Sequence, residues 1–167
     1  MVTLVVLLMS TTLHVYSPWA GSIPARGVTI ERTVRGSCSR GSDVLKRSDA
    51  WHCGTLDPCF SNDRVGVGAH VICMTSPWED ATLVELTRAL PEGRANHDGG
   101  TTGRPWAIVT AAGERCELAP SGLSATYVCA GSALLFGLPT RGRTWTQLHA
   151  ASSTAKHRRV ALRLIWY

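Results

Sequence analysis

Six cysteines constrain this 167-residue chain more than any other feature. They stand at positions 38, 53, 59, 73, 116 and 129, with 14, 5, 13, 42 and 12 residues between neighbours. Six thiols at such spacings read as a disulfide framework, and disulfides persist in oxidising compartments. Consecutive pairing closes three loops of similar size: Cys38–Cys53, Cys59–Cys73 and Cys116–Cys129. Each such loop removes about 3 kcal/mol of unfolded-state freedom in the chain-entropy model. For the first four cysteines the alternative is Cys38–Cys59 with Cys53–Cys73.

The third pair can be tested against strand geometry. If the loop is Ser121–Ser124, Pro120 faces Ala125, Leu118 faces Tyr127 and Cys116 faces Cys129. Side chains alternate along a strand, so Cys116, Leu118, Tyr127 and Cys129 share one apolar face while Arg115 and Glu117 point the other way. Facing residues of an antiparallel pair are close enough for a disulfide to span. Hairpin, hydrophobic pattern and bridge agree.

The same β signal runs through the second half of the chain. "WAIVT", "RCELA", "ATYVCA", "ALLFGL", "WTQLHA" and "RVALRLIWY" are short apolar runs separated by Gly-, Pro- and Ser-rich turns, the pattern of a meander. "VTIERTV" (Val28 to Val34) is a first strand. "SPWEDATLVELTRAL" (Ser76 to Leu90) has a helix-like start and three leucines on one helical face, yet its Thr and Val content favours a strand after a short turn. "PEGRANHDGGTTGR", with His97 and Asp98, is an exposed loop. The expected fold is all-β: a small disulfide-stapled antiparallel sandwich or barrel-like meander with little helix. Its six tryptophans are read mainly as core.

Val2 to Met9, "VTLVVLLM", is too short to span a bilayer and has the length of a signal-peptide apolar region. It lacks a preceding Lys or Arg, and Ala20 in "SPWAGS" is the nearest cleavage candidate. Residues 1–20 are therefore read as a signal peptide or truncated membrane leader, with a buried strand as the competing reading. Residues 21–37 are a linker with the first strand, and 38–167 a disulfide-bonded β domain.

The net charge is +5, and fifteen of the seventeen cations are Arg. Arg is the better fork for phosphate and carboxylate. The basic residues cluster only near the C-terminus, where Arg141, Arg143, Lys156, Arg158 and Arg159 form the candidate anion-binding patch. No zinc-finger, RNP or helix-turn-helix signature accompanies them, so nucleic acid is not the expected partner.

"SDAWHCGTLDPCF" (Ser48 to Phe60) invites a metal or catalytic reading. Cys53, Cys59, His70 and Cys73 form a ligand set that zinc takes, but the spacing is looser than the usual knuckle and two further cysteines pair well without metal. No G-x-S-x-G, H-E-x-x-H, P-loop or G-x-G-x-x-G motif occurs. Asp57 before Pro58 reads as a turn. No cofactor or metal is expected, and an enzyme is not favoured. A non-local triad would need His70, His97 or His149 beside a Ser and a carboxylate in a pocket.

One resemblance adds to this. "GSCSRGS", "RSDAWHC", "DPCF" and "VICMTSPW", then "PWAIVTAAGERCEL", "YVCAGSALLFGLP" and a terminal "WY" together resemble a family of uncharacterised secreted or membrane-tethered six-cysteine domains of actinobacteria and related high-GC bacteria. The resemblance spans about residues 36–167. It departs at His52, where the family usually has Arg, and in a shorter Cys53–Asp57 spacing. It implies an extracytoplasmic disulfide-bonded domain and assigns no functional residues. The expectation is an extracellular or envelope-associated binding or sensing domain, its partner an anionic envelope polymer or another envelope protein. A cell-envelope hydrolase is the first alternative and a small zinc protein the second.

Overall fold

A computed structural model describes residues 10–62, 64, 66–93, 95–96 and 103–167. The apolar run Val2–Met9 and the His97–Asp98 pair lie outside the described residues. In chain order the strands are β1 (Thr12–His14), β2 (Trp19–Ala20), β3 (Ile23–Pro24), β4 (Ile30–Gly36), β5 (Arg40–Gly41), β6 (Ala50–Cys53), β7 (Leu56–Ser61) and β8 (His70–Cys73). They continue with β9 (Ala81–Leu86), β10 (Ala107–Thr110), β11 (Arg115–Leu118), β12 (Tyr127–Cys129), β13 (Leu134–Thr140), β14 (Thr146–Ala150) and β15 (Arg158–Trp166). Among the described residues there is no helix. The fold is all-β and carries three disulfides, Cys38–Cys53, Cys59–Cys73 and Cys116–Cys129.

The strands form two compact units. One comprises residues 10–14 with Ala107–Trp166, the other Val15–Trp106 with Tyr167. The first is a closed barrel. β10 to β15 pair in chain order as an antiparallel meander, and β15 returns to pair with β10. Closure depends on the length of β15. Its first half pairs with β14 (Thr146↔Ala161, His149↔Arg158), and its second half with β10 (Ala107↔Trp166). β1 lies parallel on the edge of β15 left open beyond β14, in register Thr12↔Leu164 to His14↔Trp166. Thr11 bridges the change of partner: its Oγ1 donates to Leu162 O at 2.7 Å and accepts from Trp145 N–H at 2.7 Å. The edge of β15 is thus covered at this seam, where a longer unpaired strand would otherwise be a template for another chain.

Ile108, Tyr127, Leu135, Leu162 and Ile165 are fully buried in this unit. Each contributes about 1.5–3 kcal/mol through removal of apolar surface from water. The β11–β12 register is Cys116↔Cys129 and Leu118↔Tyr127, the one read from side-chain alternation.

The second unit is a six-stranded sheet of order β4-β9-β8-β7-β6-β5, antiparallel except for β4 on β9. Residues 76–80 make a short turn and β9 follows as a strand, so the helical spacing of Leu83, Leu86 and Leu90 does not decide the local structure. β4 begins two residues later than the sequence pattern suggests. It is a solvent-facing edge whose Arg32 donates to Thr82 and whose Arg35 lies 3.5 Å from Glu85. Such charges blunt an edge against further pairing.

One face of this sheet carries Trp51, Val71, Val84 and Leu86 around both of the unit's disulfides. The other face buries Phe60 and Ile72. There Tyr16, Phe60 and Trp106 make a ring cluster with centroids 5.0–5.8 Å apart, within the range of favourable tilted aromatic pairs. Arg47, 6% exposed, lies over the Phe60 ring, pairs with Asp49 and donates to the carbonyls of Tyr16 and Tyr167. A small separate hairpin, β2–β3, belongs to the same unit.

Candidate binding surfaces

The net charge of the chain sits in the barrel unit. That unit holds seven Lys and Arg against only Glu114 and Glu117, whereas the other holds ten of each sign. Five of the seven are the residues of the basic cluster, and all of them lie on or beside β13–β15. Phe136, Leu148 and Arg159 are cross-strand neighbours on one outward row. The Arg159 guanidinium turns along the strands and donates to the hydroxyls of Thr140 (2.9 Å) and Thr146 (3.3 Å). That aims it toward the β13–β14 turn, which carries Arg141 and Arg143. Arg141 stands 5.3 Å above the Trp145 ring, a cation–π contact that holds the side chain to the surface.

Lys156 and Arg158 belong to the opposite turn, at the other end of the five-residue β14, about 14 Å away at 3.4 Å per residue. The structure therefore brings Arg141, Arg143 and Arg159 together and sets Lys156 and Arg158 at the far end of the same face. Among the described residues Arg143, Lys156, Arg158 and Arg159 make no ion pair. Leu138 and Leu148 are exposed, and His157 stacks on Phe136 at 4.4 Å, so the surface mixes cations with apolar groups.

Residues 48–60, on and around β6 and β7, form a structural corner. Ser42 Oγ and Asp43 N–H both donate to the Asp57 carboxylate, which also faces His52 Nδ1 at 3.1 Å. Asp43 lies 3.3 Å from the same nitrogen and is held by Arg40. The hydrogen bond and charge of Arg40 keep the Asp43 carboxyl below the usual carboxylate range, against a smaller opposing effect of burial. Ser42 Oγ in turn accepts from Val44 and Leu45 N–H. It is committed to the turn and to Asp57 and does not lie along a Ser–His–carboxylate relay. Asn96 Nδ2 ties the corner by donating to the carbonyls of Ser42 and Leu45. Gly41 is needed for that approach, since a Cβ there would lie 2.8 Å from Asn96.

The sulfurs of Cys53, Cys59 and Cys73 are within 4.8 Å of one another. All three are bridged, so none is left as a thiolate ligand. His70 is on the sheet face opposite Cys73 by strand alternation, which separates it from those sulfurs. It lines a cleft with Ser22 but without a carboxylate among the described lining residues.

His149 is buried in the barrel. Its Nε2 lies 3.3 Å from the Glu114 carboxylate, which also accepts from Thr110 Oγ1 at 3.0 Å. His149 Nδ1 and Gln147 Oε1 are buried without a partner among the described residues. The sequence offered no local signal for Asp43, Asn96 or Glu114. Each acts on a residue 9 to 54 positions away, across pairings that spacing alone does not reveal. Comparison of the chain with protein-family models, with curated proteins and with solved structures finds no match.

Proposed function

We propose that this protein is an exported binding domain of the bacterial cell envelope that holds an anionic polymer on the cationic face of its barrel. The observation that carries the reading is charge segregation. An excess of five positive charges lies in one unit, and five cations are distributed along one three-stranded surface. Arg forks match phosphate and carboxylate groups bidentately. Cations at both ends of a strand suit a repeating anion better than a compact one. The three disulfides favour an oxidising, extracellular setting, and the resemblance to exported six-cysteine domains points to the same place.

Chromatography on immobilised long-chain polyphosphate tests the reading. The protein should be retained at low salt and released as added salt shortens the Debye length to about 10 Å at 0.1 M and below that above it. The triple variant Arg141→Ala, Arg143→Ala, Arg159→Ala should elute earlier than the parent. Retention that ignores salt, or that survives the triple variant unchanged, overturns it.

A further inference from the structure

A second surface, on the other unit, has the lining of a ligand site. Two clefts of about 210 and 310 Å³ adjoin, and both are lined by Trp19 and Asn62. Sharing this wall, they make a surface groove whose larger part, about 310 Å³, reaches the lower end of the usual size of small-molecule sites, about 300–1,000 Å³. The chain builds its floor from a tight hairpin. Trp19 pairs with Pro24 across a two-residue loop, Gly21-Ser22, and Gly21 takes the positive φ of 63° that such a turn requires. The indole N–H donates to Phe60 O at 2.8 Å. That bond satisfies the ring's polar edge and fixes it, so the half-buried indole offers the groove apolar ring surface.

Around the ring stand polar groups with spare capacity. Asn62 Oδ1 accepts from Arg64 N–H at 2.8 Å, which orients the amide and leaves its NH2 group unused. Ser22, His70 and the Asn62 NH2 make no side-chain hydrogen bond with another described residue. Asp49, at the far end, is already engaged by Arg47.

We infer that this groove binds a saccharide. A sugar ring presents an apolar C–H face and an equatorial rim of hydroxyls. A fixed aromatic ring beside an amide, an imidazole and a hydroxyl complements both at once. A purely apolar ligand would strand those polar groups in a desolvated site. The groove belongs to the unit whose charges balance, and none of the five basic residues of the barrel lines it, so this inference stands independently of the polyanion reading.

Titration with chitotriose and with trigalacturonate, followed by tryptophan fluorescence and by amide chemical shifts, tests it. Saturable binding of at least one trisaccharide is expected, with shifts at Trp19, Asn62 and His70. Asn62→Ala and His70→Ala are surface changes that should each weaken it about three- to tenfold, the loss of one hydrogen bond. Trp19→Ala should weaken it further, and Trp19→Phe less. Arg141→Ala with Arg143→Ala should leave it unchanged. No saturable binding of either trisaccharide at millimolar concentration overturns the inference. So does binding that is indifferent to both Asn62→Ala and His70→Ala.

Discussion

At the scale of single residues, Asp57 shows what a local motif reveals and what it hides. Asp before Pro reads as a turn, but the turn falls at Gly54-Thr55, and Asp57 and Pro58 lie in β7 just after it, because the pairing of β7 with β6 and β8 decides the local structure. The partners of Asp57 are Ser42, Asp43 and His52, which no spacing rule connects to it. Asp57 is mostly buried, so removing the carboxylate strands donors that water does not fully reach. Asp57→Ala should lower stability by about 2–3 kcal/mol, the scale of losing charged hydrogen bonds, read as a fall in the urea midpoint with unchanged slope. Asp57→Asn should lie between. An unchanged midpoint would mean that the corner is solvated decoration. The barrel's Glu114–His149 contact hides in the same way, since closure of the barrel brings together residues 35 positions apart that no strand pairing joins.

At the scale of elements, β1 carries the sharpest consequence. Residues 11–16 belong to the folded structure. Thr11 closes the seam of the barrel, Thr12–His14 pair with β15, and Tyr16 joins the ring cluster with its N–H on Tyr167 O. Burial pushes the Tyr16 phenol above its usual range, as expected for a ring in that setting. Cleavage at Ala20 would discard all of these contacts. If a leader is removed, the processed chain is therefore expected to begin at or before Thr11, which N-terminal sequencing of the protein expressed for export can check. A variant lacking residues 1–20 should melt well below one lacking residues 1–9. Equal melting temperatures would show that β1 contributes nothing. The strands of the meander from Ala107 onward were legible because each alternates and is bounded by turn residues. β1 was not, because it has three residues, all exposed, and is defined only by the edge it covers.

At the scale of the whole molecule, covalent and charge patterns are the organising features. Each disulfide links cysteines adjacent in sequence order and lies within one unit. Protein secreted to an oxidising compartment should therefore show no alkylatable thiol. Non-reducing peptide maps should return three short-loop pairs. A free thiol, or Cys38 joined to Cys59, would contradict the framework. The similar loop lengths of consecutive cysteines, the alternation around Cys116 and Cys129 and the turn-punctuated second half were enough to determine an all-β, disulfide-stapled fold, because strand periodicity and loop closure are local properties of the chain. The division into two units, the closure of the barrel by one long strand and the assembly of the groove around Trp19 were decided only by tertiary structure. They depend on which strand edges meet. That choice follows from the burial of residues far apart in sequence, and no local pattern encodes it.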